Sequence, residues 1–219
     1  DYSGQELKMM VHFAALAGCR AADRAVTRYN EDPAFNLFRA IADGAGLDYN
    51  KVKNGSYARA YGGGYVRIAK TVGLPVRGGK AGRETYDFLR RINRVAPFLE
   101  ELKQDAIRAV REKGHVRTIG GRKMRFKGPN SKGEYDGEHK ALSYLISPSC
   151  ADQMKKAMVE MHEEGVPIQL QVHDEVNFSF APAERKLVDR AAEIMRDSVK
   201  LLVPTVADPE TGPSWGEVS

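Results

Sequence analysis

Ile168-Gln169-Leu170-Gln171-Val172-His173-Asp174-Glu175-Val176-Asn177-Phe178-Ser179-Phe180 is the stretch on which the fold turns. Ile168, Leu170 and Val172 alternate with Gln169, Gln171 and His173, and Val176, Phe178 and Phe180 alternate with Asn177 and Ser179. A period of two lines one face of a strand with one set of side chains, so the pattern predicts a β-hairpin with Asp174 at its tip. A second acidic run, Asp1-Tyr2-Ser3-Gly4-Gln5-Glu6-Leu7-Lys8, opens the chain. Two carboxylates so far apart in sequence, each at the end of a strand-like segment, are what a two-metal phosphoryl-transfer site requires. Mg²⁺ takes hard oxygen ligands, usually one or two carboxylates with waters and substrate phosphates, and a pair of such ions clamps the attacking and leaving oxygens of an in-line displacement. For either run alone, a solvated turn is the reading that usually wins; the run between them changes the odds.

Between them lies Lys53-Asn54-Gly55-Ser56-Tyr57-Ala58-Arg59-Ala60-Tyr61-Gly62. Lys53, Tyr57 and Tyr61 recur every four residues, which on a helix aligns one cation and two rings along a single face. Lysine offers a mobile point charge to a triphosphate, and each ring a flat surface to a base or sugar. The competing reading is an amphipathic helix whose tyrosines pack on the core. Gly55 costs such a helix about 1 kcal/mol relative to Ala.

Working outward, Leu7, Met10, Val11, Ala14 and Ala17 recur at a helical period, with Met9, Phe13 and Leu16 widening the apolar face, which predicts a buried helix from Glu6. Asp32-Pro33 marks the start of another, carrying Ala34, Leu37, Phe38 and Ile41 and ending at Gly44-Ala45-Gly46. The stretch from Ala81 to Lys113 reads as helical, broken at Pro97 and capped by Gly114. His115 to Ile119 and Lys123 to Phe126 flank Gly120-Gly121 as a hairpin. Ser149 with Asp152 resembles a capping box for a helix carrying Met154, Ala157, Met158 and Met161. A last helix is expected from Ala183 to Val203, with Leu187, Val188, Ala191, Ile194, Met195 and Leu202 on its buried stripe.

A chain of 219 residues can bury a real core, and its formal charge of +5 favours a polyanionic partner without requiring one. Cys19 and Cys150 lack zinc-like spacing and are expected as reduced thiols in a cytoplasmic setting. No apolar run approaches the roughly 18 residues of a membrane span, and no signal peptide is apparent.

Taken in this order, the three runs resemble the motifs of the family A DNA polymerases, the group of bacterial DNA polymerase I and the replicative polymerases of T-odd phages. Their separations of 52 and 121 residues fit that family. Gly114-His115-Val116-Arg117-Thr118 with Gly121-Arg122-Lys123, Glu138-His139-Lys140-Ala141-Leu142 and the closing Gly212-Pro213-Ser214-Trp215 are similar to further family segments, the last two to phage members. The resemblance implies an α+β fold: an antiparallel palm sheet with packed helices, incomplete at its N-terminus, and an inserted helical fingers subdomain. The palm is expected at 1–17 and 115–219 and the fingers at 18–114. It implies template-directed transfer of deoxynucleoside monophosphates from dNTPs to a primer 3′-hydroxyl. The opening at a metal-ligand position, without Met, implies a fragment whose upstream palm strand, which would hold Asp1 against Asp174, and thumb lie elsewhere.

The resemblance also implies residue roles. Asp1 and Asp174, with the Tyr2 carbonyl, would hold two Mg²⁺ ions, supported by Glu175. Lys53 would meet the triphosphate. Glu6, held by the Tyr57 hydroxyl, would close the space beside the sugar C2′, and Tyr61 would cover the template side of the nascent pair. His173, Arg122, Gly62 and Ser147 would contact DNA. Some positions depart from the family pattern. Tyr49 stands where Arg is usual, leaving Lys51 as the nearest cation, and Ser143 and Ser147 stand where Asn and Gln are common. The implied partners are primer-template DNA, dNTP, the rest of the polypeptide and a processivity factor. A single-subunit RNA polymerase and a non-catalytic DNA- or nucleotide-binding remnant are the alternatives, the former disfavoured by the Glu6 and Tyr57 pairing.

Overall fold

The computed structural model describes residues 1–218. Helix α1 (Gln5–Leu16) forms on the apolar period and buries Leu7, Met9, Met10, Val11 and Ala14. Its last turn departs from expectation, because Leu16 and Ala17 face solvent where the chain swings away through the left-handed Gly18. Helix α2 (Ala22–Glu31) was not anticipated; it contributes only Ala22, Ala25 and Tyr29 to the core. Helix α3 (Leu37–Ala45) starts later than Asp32-Pro33, at an Asn36 cap whose side chain accepts the Arg39 N–H.

Helix α4 (Tyr49–Ala60) is capped by Asp48 and runs unbroken through Gly55. A Cβ at Gly55 would lie 2.7 Å from Phe88 Cε1 and 3.0 Å from Val72 Cγ1, so glycine is what lets the neighbouring elements approach. Helix α5 (Tyr65–Thr71) follows, then strands β1 (Val76–Arg77) and β2 (Lys80–Ala81) in a small hairpin over Gly78-Gly79. Helices α6 (Arg83–Val95) and α7 (Phe98–Lys113) part at Ala96-Pro97, and Gly114 takes the left-handed C-terminal position, both as expected. Strands β3 (His115–Arg117) and β4 (Lys123–Arg125) pair around Gly120-Gly121.

Helix α8 (Ala141–Glu163) overturns the expected capping box: Ser149 and Asp152 lie inside it, and the helix continues through Pro148. The Ser149 hydroxyl donates to the Leu145 carbonyl, while Asp152 accepts from Thr118 Oγ1 at 2.5 Å and Arg122 Nε at 2.6 Å. Ser149 Oγ also accepts the Ile119 N–H at 3.0 Å, so both side chains are engaged with the β3–β4 loop rather than at a helix start. Strands β5 (Ile168–Val172) and β6 (Glu175–Phe178) form the expected hairpin, in register Val172↔Glu175, with a bulge between Ile168 and Leu170. Helix α9 (Lys186–Asp197) is shorter than the expected Ala183–Val203, and Leu202 is 43% exposed. The chain leaves the helix there because it is needed elsewhere: the Leu202 N–H donates to His12 Nδ1, and Val206–Asp208 pairs with Asp1–Ser3.

The chain is thus α+β and helix-rich. Its strands make three separate antiparallel pairs among the described residues, plus an isolated Tyr2↔Ala207 bridge, rather than one palm sheet. A large core joins α1 to α4, α6, α7 and the first half of α8. A smaller one joins Tyr2, Met154, Ala157, Met161, Val166, Ile194, Met195 and Ala207. Helix α8 contributes to both and so ties the chain's opening to the β5–β6 hairpin. No helix among the described residues is long and apolar enough to cross a membrane.

Candidate functional site

The β5–β6 hairpin turns over His173-Asp174. His173 has φ of 54°, the left-handed geometry that two-residue hairpin turns demand at their first position. Asp174 therefore stands at the tip, as its sequence predicts. The Tyr2 N–H donates to the Asp174 carbonyl at 3.1 Å, the Ser3 N–H to Val206 at 2.9 Å and the Asp208 N–H to Asp1 at 3.1 Å. The two acidic runs are backbone neighbours. Within the chain, Val206–Asp208 pairs with Asp1–Ser3 and holds Asp1 in place. Tyr2 anchors the arrangement from beneath: it is 2% exposed, and its hydroxyl donates to the Met195 carbonyl at 2.8 Å. Burial pushes its pKa up to about 12, so it remains a donor.

Glu175, the first residue of β6, accepts the Trp215 indole N–H at 3.0 Å. A cavity of about 920 Å³ opens beside these acids, bordered by Asp1, Glu175, Phe178, Met195, Asp208 and Trp215. Among the described residues no group of three or more His, Cys, Asp or Glu side chains is placed to hold a metal. The donor set available is two carboxylates and peptide oxygen.

Lys53 and Lys51 are exposed on α4, and neither makes an ion pair among the described residues. Tyr57 is half-buried against Phe38, whose ring meets it edge-on at 5.2 Å. Burial pushes the Tyr57 hydroxyl up to about 12; the charge of Glu6 reinforces this, and Asp174 adds a weaker contribution. Helix α4 and the hairpin acid thus share one electrostatic neighbourhood.

Tyr61 lies just past the helix, at its C-terminal cap, and its ring stacks on Tyr57 with centroids 6.2 Å apart and planes 19° apart. Its hydroxyl, rather than that of Tyr57, donates to Glu6 Oε1, and the Ser147 hydroxyl donates to the same oxygen at 3.3 Å. The expectation that Tyr57 holds Glu6 is corrected accordingly. The reason is that Tyr61 follows Tyr57 by one helical turn and stacks on it, so its hydroxyl is the one that reaches Glu6 on α1, while the Tyr57 ring packs against Phe38. Burial, then the bond to Glu6, pushes the Tyr61 hydroxyl above its ordinary value.

The remaining site residues are more structural. A Cβ at Gly62 would lie 2.8 Å from the His139 carbonyl, so this glycine permits a close backbone approach. The Arg122 guanidinium fastens the β3–β4 loop to α8 through Asp152 and the Pro148 carbonyl. His173 is exposed at the hairpin tip. Arg39, which no spacing pattern singled out, places its guanidinium 4.4 Å from the Tyr49 ring centroid. It brings a cation from α3 to the position where the sequence lacks one.

The sequence profile described as DNA polymerase family A matches residues 1–217. The chain belongs to DNA polymerase family A. A relative, the DNA-directed DNA polymerase of Pseudomonas phage M6, is 34% identical over 252 residues, covering 99% of this chain and 37% of the relative. The DNA polymerase of Mycobacterium phage L5 is 28% identical over 226 residues, covering 100% of this chain and 34% of the relative. The chain therefore spans a little over a third of these polymerases. In fold it is similar to the POL domain of Pol1 from M. smegmatis, solved as a complex with DNA primer-template and dNTP. That match has a TM-score of 0.75 and 24% identity, and covers 93% of this chain and 37% of the other.

Proposed function

We propose that the chain is the fingers (18–114) and the catalytic part of the palm (1–17 and 115–219) of a template-directed DNA polymerase. The enzyme transfers deoxynucleoside monophosphates from dNTPs to a primer 3′-hydroxyl with release of pyrophosphate. The observation that carries this reading is the Tyr2 N–H to Asp174 carbonyl bond at 3.1 Å, which brings together two acidic runs lying at opposite ends of the chain.

Asp1, Asp174 and the Tyr2 carbonyl offer hard oxygens that suit Mg²⁺, with substrate phosphates completing the shell. When bound, a pair of Mg²⁺ ions lowers the pKa of the primer hydroxyl and neutralises the departing pyrophosphate. The residues of the chain do the rest. Lys53, exposed on α4, meets the triphosphate and offsets charge developing on the leaving group. Tyr57 and Tyr61 present stacked rings to the nascent pair. Glu6 fills the space beside the sugar C2′, where a ribose hydroxyl would collide or remain unpaired; the Tyr61 and Ser147 hydroxyls orient it before substrate arrives. Glu175 steadies the hairpin through Trp215. The cavity beside Asp1, floored by Val176, Phe178, Ala192 and Met195, is the seat for the rest of the palm.

The test is primer extension by the full polypeptide carrying this chain, compared with its Asp174→Asn variant. Loss of a metal-holding carboxylate removes several kcal/mol of transition-state stabilisation, roughly a thousandfold in rate. Extension at an unchanged rate would refute the assignment.

A further inference from the structure

Where α4 packs on α6 and α7 the core leaves a small cavity of about 30 Å³. Its walls are mostly apolar, Met10, Leu89 and Leu142 among them, yet two polar groups on them lack partners. Ser56 Oγ, on α4, is buried and makes no hydrogen bond among the described residues. A serine inside a helix can turn its hydroxyl to the carbonyl four residues back, and Ser56 does not. Lys103, on α7, is 8% exposed, and its ammonium makes no hydrogen bond or ion pair among the described residues.

Glu100 borders the same cavity, but both of its oxygens are engaged. Oε2 accepts from Arg59 Nε at 2.7 Å and Oε1 from Gln104 Nε2 at 2.8 Å. Two cations, Arg59 and Lys103, therefore face one carboxylate, and the cavity keeps an excess of one positive charge. An unpaired ammonium in apolar surroundings is costly; burial and then the Arg59 charge hold the Lys103 pKa below its ordinary value, with Glu100 opposing. A water bridging Ser56 and Lys103 leaves that charge uncompensated, and it needs acceptors for its own two hydrogens among walls that offer few. A monatomic anion accepts from every donor, has no hydrogens to place and supplies the missing charge. The volume, room for about two waters, excludes phosphate or a nucleotide.

We propose that this cavity is a binding site for a single halide ion such as chloride, held by Lys103 Nζ and Ser56 Oγ. The ion links α7 to α4 through their shared interior, so an occupied site holds fixed the helix that carries Lys53 and Tyr57. The site depends on the packing of α4 against α7 and not on the reading of Asp1 and Asp174.

The experiment uses the full polypeptide carrying this chain, without DNA, nucleotide or divalent metal, so its outcome is independent of catalysis. Crystals grown in halide-free buffer and soaked in sodium bromide are expected to show an anomalous peak inside the cavity, at hydrogen-bond distance from Lys103 Nζ and Ser56 Oγ. In solution, the unfolding temperature is expected to rise as chloride replaces gluconate at constant ionic strength, along the logarithmic curve of a ligand that binds only the folded state. Lys103→Met, which fills similar space without charge, is expected to abolish that dependence. Ser56→Ala is expected to raise the chloride concentration needed for the same shift about tenfold, the loss of one hydrogen bond to a charged group. A cavity without bromide would overturn the proposal, and peaks confined to the surface would mark an adventitious ion only. So would a chloride dependence that Lys103→Met leaves unchanged. The diffraction reading needs no variant, so it stands even where Lys103→Met fails to fold.

Discussion

Gly55→Ala sets two opposed quantities against each other at the centre of α4. An alanine in a helix interior is about 1 kcal/mol better than glycine, so propensity alone makes the substitution stabilising. The added methyl, however, would lie 2.7 Å from Phe88 Cε1, 3.0 Å from Phe88 Cζ and 3.0 Å from Val72 Cγ1. Phe88 is 5% and Val72 3% exposed, so neither can swing into solvent. Overpacking of this kind costs about 1–3 kcal/mol, and contact with an aromatic carbon from one side and a branched aliphatic from the other belongs in the upper part of that range. The net expectation is a loss of about 1–2 kcal/mol, read as a urea midpoint lowered by about 0.5–1 M at unchanged slope. Relief of the clash pushes α4 away from α6 and carries Lys53 and Tyr57 with it, so the apparent KM for nucleotide rises in the full polypeptide. A Gly55→Ala protein more stable than wild type by the propensity increment would refute the close packing of α4 on α6, and with it the placement of the lysine.

The ion pair behind α4 offers a second test. Arg59 Nε donates to Glu100 Oε2 at 2.7 Å, and the two side chains are 19% and 22% exposed; Glu100→Ala should cost about 2–3 kcal/mol in denaturant unfolding by leaving the guanidinium unpaired, while Arg59→Met in the same background recovers most of it. His12 gives the fold a pH dependence. Burial lowers its pKa from 6.5, and its Nδ1 accepts the Leu202 N–H at 3.1 Å, a role only the neutral ring can fill. The unfolded chain thus binds the extra proton, stability falls as pH drops from about 6.5 toward the depressed folded value, and His12→Gln should flatten the urea midpoint across that window. Glu6→Ala should raise ribonucleotide incorporation, and Tyr61→Phe together with Ser147→Ala should do so more weakly by leaving the carboxylate unanchored; unchanged sugar selectivity in all three variants would remove Glu6 from that role.

Much of this architecture is legible in residue order because it depends on neighbours within a few positions. The period-two run at 168–178 specifies its hairpin and puts Asp174 at the turn. The apolar spacing of Leu7, Met10, Val11 and Ala14 specifies α1, and Pro97 and Gly114 end helices through backbone chemistry that acts locally. Misreadings arise where a local rule has a competitor elsewhere in the chain. Ser149 and Asp152 have the spacing of a helix start, yet Asp152 is satisfied by Thr118 and Arg122 from the β3–β4 loop, and α8 runs straight through. Leu202 fits the stripe of α9, yet its backbone is drawn to His12 and the segment beyond it to Asp1–Ser3.

Residue order alone therefore determined the catalytic-motif hairpin and most of the helices, since periodicity, caps and breakers act over a turn or two. Only the tertiary structure decided that Tyr61 and Ser147, rather than Tyr57, hold Glu6, that Arg39 backs Tyr49, and that the tail at Val206–Asp208 fixes Asp1 beside Asp174. Those are meetings of groups up to 207 positions apart, and no spacing rule encodes them, because which surfaces meet is settled by how whole helices pack.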